Sequence, residues 1–96
     1  MKSLPNEIDV TSAGDSRWHI QVRAAAGTTS HVVTIPEGYR DTLGVAGVAP
    51  ERVIEESFRF LLEREPNTSI LHVFSLSAIE RYFPEYAREI QRRLKR

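Results

Sequence analysis

Trp18–Ile35 reads WHIQVRAAAGTTSHVVTI, and its periodicity decides the fold. Trp18, Ile20 and Val22 alternate with His19, Gln21 and Arg23, and beyond Gly27 the apolar residues resume at Val32, Val33 and Ile35. Period two with β-branched residues marks strands that are dry on one face. With Ala26–Gly27 as a two-residue turn, Ile20 lies opposite Val33, Trp18 opposite Ile35 and Val22 opposite His31. One face then carries Trp18, Ile20, Val22, Val33 and Ile35, and the other shows His19, Gln21, Arg23, Ser30, Val32 and Thr34. A slip of one residue would bury Thr34 in place of Val33.

Upstream, Ile8 and Val10 alternate with Asp9 and Thr11, and Ser12–Asp15 (SAGD) provides a break. A three-residue turn at Ala13–Asp15 sets Ile8 and Val10 opposite Ile20 and Trp18, on the same dry face. The strand-rich part (6–36) is thus a three-stranded antiparallel meander whose one apolar side must be covered. Residues 1–5 are expected to be flexible, and 37–96 to be helical.

The cover lies downstream. Pro36–Gly44 (PEGYRDTLG) predicts a short helical turn that starts at Pro36 and stops at Gly44. Pro50–Glu65 (PERVIEESFRFLLERE) is the main amphipathic helix. Its apolar residues, Val53, Ile54, Phe58, Phe60, Leu61 and Leu62, span an arc of about 200°. Glu55–Arg59 and Arg59–Glu63 sit at i,i+4 spacing on the other side. A sheet alone cannot bury so wide an arc, so the C-terminal helix, a second subunit or both cover its far flank. The second option motivates a homodimer.

Further on, Thr68 or Ser69 is placed to cap an apolar turn at Ile70–Phe74, and Ser77 with Glu80 makes a capping box. In Arg81–Tyr86 (RYFPEY), Pro84 has no N–H for a helix interior. Two short helices result: one ends at Tyr82, the other begins with Pro84 and aligns Tyr86, Ile90 and Leu94. Phe83 is expected to be the buried plug of this corner, with the tyrosine hydroxyls reaching solvent or a backbone acceptor. The fold class is α+β: the meander, a main amphipathic helix and a shorter C-terminal helical pair, in a single domain over 1–96.

Chemistry is sparse. At 96 residues the chain forms one small core, and 13 basic against 13 acidic residues give no overall attraction to phosphate or membranes. The absence of cysteine excludes disulfides, thiolate catalysis and cysteine-ligated metals. The opening MKSLPNEIDV has no apolar run of a signal peptide, so a cytoplasmic location is expected. His19, His31 and His72 are not spaced as a helical ligand pair. The acidic pairs Glu55/Glu56, Glu63/Glu65 and Glu85/Glu89 lie beside arginines, where ion pairing accounts for them. No G-x-S-x-G or phosphate-binding glycine motif occurs. We expect no enzyme, cofactor or metal, and an interaction or regulatory role with a protein partner or with itself. Val32, Tyr39, Phe60, Leu62, Tyr82 and Tyr86 are the candidate interaction surface.

Two resemblances add to this. Phe60–Pro66 (FLLEREP), Ser69–Leu71 (SIL) and Leu76–Tyr86 (LSAIERYFPEY) are similar to a set of small bacterial proteins of unknown function with a strand-rich start. Ser30–Glu63 (SHVVTIPEGYRDTLGVAGVAPERVIEESFRFLLE) resembles the ribbon-helix-helix pattern of DNA-binding regulators. That resemblance implies a strand paired with its twin in a dimer and inserted into the major groove. Its outward residues would be Ser30, Val32 and Thr34, which lack side chains that read base edges. Arg88, Arg92, Arg93, Lys95 and Arg96 would then be the phosphate contacts.

Overall fold

The computed structural model describes residues 6–94, so the expectation for residues 1–5 lies outside it, as do Lys95 and Arg96. Three strands, β1 (Glu7–Gly14), β2 (Arg17–Ala24) and β3 (Gly27–Thr34), form the antiparallel meander. Both registers differ from the expected ones by two residues: Trp18 lies opposite Val33, Ile20 opposite His31, Ile8 opposite Val22 and Val10 opposite Ile20. The turns cause this. Ala25 and Ala26 make the second turn while Gly27, at φ 126°, closes it rather than sitting inside it. Asp15 (φ 51°) and Ser16 (φ 62°) make the first, a two-residue turn with both central residues at positive φ. A shift of two keeps every side chain on its face, so the dry side is the expected one.

The sheet has a fourth strand that the three-stranded reading lacked. β4 (Val73–Ser75) runs parallel to β3, with Val32 beside Val73 and Val33 beside Phe74. The expected apolar turn over Ile70–Phe74 is therefore replaced by a 3-10 turn at Asn67–Ser69 and an extended run into β4. Three residues are too few to show a period of two. The strand exists because the chain after the main helix returns to a free edge of β3, where the Val32 N–H donates to the His72 carbonyl at 2.6 Å.

The helices are α1 (Tyr39–Thr42), α2 (Pro50–Leu62), α3 (Ile79–Tyr82) and α4 (Tyr86–Leu94). The first begins at Tyr39, not Pro36, after Gly38 at φ 79°. Proline stands at the first position of α2, where its missing N–H is harmless. One flank of α2 faces the sheet, with the Phe58 ring 5.3 Å from His31 and 6.0 Å from Phe74. The other flank faces α4: Phe60 meets Tyr86 edge-on at 5.4 Å, and Ser57 and the Tyr86 hydroxyl lie 2.6 Å apart. The wide apolar arc is thus covered within the chain by the sheet and α4, Val53, Ile54, Phe58, Phe60 and Leu61 being buried.

Near the C-terminus the expected capping box does not form. The Ser75 hydroxyl accepts from the Ser77 N–H, capping a 3-10 turn at Leu76–Ala78 that leads into α3. Glu80 instead accepts from the Tyr39 hydroxyl at 2.6 Å. The corner at Pro84 is present: α3 ends at Tyr82, Phe83 has φ −134° and ψ 89°, and α4 starts at Tyr86, two residues past the proline. Its plug is Tyr86, which is fully buried, while Phe83 is half-buried against Phe60. Ser57 makes this possible, because a hydroxyl partner inside the core lets a phenol be buried without loss of its hydrogen bond.

Candidate interaction groove

The end of α2, the strand β4 and the α3 corner meet around an apolar cleft of about 200 Å³. Leu61, Ile70, Phe74, Ala78, Ile79 and Phe83 line it, with Glu65 and Ser69 the polar members. Leu71 and Tyr82 stand on the rim, 52% and 67% exposed. The cleft lies on the α2 side of β4. On the opposite sheet face, Val73 is 72% exposed beside half-buried Val32. In a parallel ladder alternate residues turn their N–H and C=O to the neighbour, so Val73, beside Val32, directs its backbone groups to the free edge. A strand edge with apolar side chains on both faces is the principal exposed apolar feature of the described residues.

A polar chain behind the cleft sets the position of β4. The Leu71 carbonyl can only accept, so His31 Nδ1, 2.7 Å away, carries a proton. His31 Nε2 then accepts from the Thr29 hydroxyl at 2.8 Å, and Thr29 Oγ1 in turn accepts from Asn67 Nδ2 at 3.0 Å. Asn67 also donates to the Gly27 carbonyl, and His72 to the Ser30 carbonyl, both at 3.0 Å. Burial pushes the His31 imidazole below its ordinary pKa; the Leu71 carbonyl opposes this, and His72 and His19 add to it. The unfolded chain therefore binds the His31 proton more readily than the fold does. Stability is expected to fall as the pH drops below about 6.5, and urea midpoints measured between pH 7.5 and 5 should show the loss. His31→Gln should flatten that dependence.

Of the sequence-derived surface, only Tyr82 lines this cleft and is open to solvent; Leu62 and Val32 are half-buried elsewhere. Tyr39, Phe60 and Tyr86 are core residues, because hydrogen bonds to Glu80 and Ser57 satisfy the two phenols and α4 covers Phe60. Burial, and for Tyr39 the bond to Glu80, raises both phenol pKa values. Leu71, Phe74, Ala78 and Glu65 were not identified from sequence. The alternation of Ile70, His72 and Phe74 was the available signal, but it is as short as a turn.

Two members of the basic cluster, Arg92 and Arg93, are engaged, and Lys95 and Arg96 lie outside the described residues. Arg92 pairs with Glu89 at 2.7 Å, and Arg93 reaches Glu63 at 2.6 Å. The hydrogen bond from Arg92 and the charges of both arginines hold the Glu89 carboxyl below its usual range. β3 is bonded on one edge to β2 and on the other to β4, leaving none for a twin strand of the ribbon-helix-helix kind. A second cleft, about 270 Å³, lies by Trp18 and Pro36, but Glu37, Arg40 and Asp41 give it mixed charge, and Arg40 already donates to the Ala46 and Val48 carbonyls. Among the described residues no histidine–carboxylate group could hold a metal, and no helix is long and apolar enough to cross a membrane. No family model, curated protein or solved structure matches the chain.

Proposed function

We propose that this chain is a small non-catalytic interaction module that takes an extended segment of a partner protein along the β4 edge. The observation that carries the reading is the apolar cleft beside a strand edge whose outward backbone groups are unpaired by the sheet. A strand added there would exchange backbone hydrogen bonds with Val73 and place alternate side chains in the cleft and over Val32 and Val73. Main-chain pairing supplies affinity and the cleft supplies selectivity. A reducing, cytoplasmic setting suits a chain without cysteine.

The test is a selection of displayed random peptides on the immobilised chain, followed by titration of the selected peptides. Ala78→Trp, which fills the cleft, should weaken them at least tenfold. NMR shifts on binding should centre on Leu71, Val73 and Tyr82. Peptides that bind Ala78→Trp as well as the natural chain would overturn the reading.

A further inference from the structure

We infer that the segment seated in the cleft carries a lysine or arginine two residues from its apolar anchor, and that Glu65 selects it. This rests on the interaction reading above. Five of the seven glutamates on or beside α2 and α4 are paired: Glu55 with Arg59, Glu56 with Arg52, Glu63 with Arg93, Glu85 with Arg64 and Glu89 with Arg92, all at 2.6–3.2 Å, while Glu51 at the start of α2 is open to water. Glu65 is half-buried in an apolar lining and has no cation within 4.0 Å among the described residues. No lysine or arginine lines the cleft.

Glu65 also follows the C-terminus of α2, the negative end of its dipole, where Arg64 donates to the Phe60 carbonyl and is itself paired with Glu85. The cleft is therefore apolar with one negative side chain in its lining. An acidic segment would be repelled. A purely apolar one would strip water from the Glu65 carboxylate and give nothing back, which is costly for a charge. A cation next to the anchor replaces that water, so selectivity arises from the penalty on the wrong segments as much as from the pair itself. Side chains on one face of an extended segment recur every second residue, which places the cation at the anchor's i+2 or i−2 position.

The experiment uses the full chain and synthetic peptides from the selection, each made as a Lys and a Gln version at that position. On the natural chain the Lys→Gln change should weaken binding about fivefold, as expected for one partly exposed ion pair. On Glu65→Gln the two versions should bind alike. Selected peptides without a basic residue, still blocked by Ala78→Trp, would overturn the inference and leave the interaction reading standing. Binding that neither Ala78→Trp nor Tyr82→Ser weakens would overturn both, as would a selection that enriches nothing. Tyr82→Ser acts at an exposed position and tests the cleft without adding volume. Self-association through the cleft in light scattering, lost in either variant, would make a second copy the occupant and overturn the inference.

Discussion

Tyr86→Ala is expected to lower stability by about 4 kcal/mol, the usual range for deleting a buried aromatic side chain. The ring is fully buried, lies edge-on to Phe60 at 5.4 Å, and shares its helical stripe with buried Ile90. Small domains are held by only about 5–15 kcal/mol, so this single change should leave the fold marginal at 37 °C. Tyr86→Phe separates packing from hydrogen bonding. Ser57 keeps its bond to the Val53 carbonyl at 2.7 Å, so removing the phenol hydroxyl leaves no buried donor stranded and should cost about 1 kcal/mol. Urea denaturation of the two variants checks both figures. A Tyr86→Ala midpoint near that of the natural chain would mean that α4 is not the clamp on α2. Phe83→Ala should cost less than Tyr86→Ala, since Phe83 is only half-buried.

Asn67→Ala should cost about 2 kcal/mol, because it strips donors from two part-buried acceptors at once. Asn67 is 1% exposed and donates to the Gly27 carbonyl and to Thr29 Oγ1, joining the segment after α2 to the β2–β3 hairpin. The Thr29 hydroxyl would lose the donor that completes its bond to His31. Amide hydrogen exchange gives the distinguishing readout: protection should fall first at Val32, whose N–H is held by the His72 carbonyl, while α2 stays protected. Uniform loss across the chain would mean that β4 has no stability of its own to lose.

Much of the architecture was legible from local pattern. The alternation of Trp18, Ile20 and Val22 identified the dry face, and the helical stripe of Pro50–Leu62 identified its cover. Pro84 located the corner, because the lack of an N–H is a local property of one residue. The site was hardly legible. Tyr39, Phe60 and Tyr86 look like surface aromatics until Glu80, Ser57 and α4 are seen to enclose them. Leu71, Phe74 and Ala78 look like nothing in particular until they share one cleft with Tyr82.

By itself the sequence determined the α+β class, which side of each of the first three strands is dry, the main helix and the bend before α4. Those follow from periodicity and backbone chemistry, and face assignment survives even a two-residue error in register. Only the tertiary structure decided that a fourth strand pairs with β3, that Tyr86 rather than Phe83 fills the corner, and that an apolar cleft opens beside Glu65. Each of these depends on which distant residues share one small volume. That is set by the packing of the whole chain and leaves no trace in any short stretch of it.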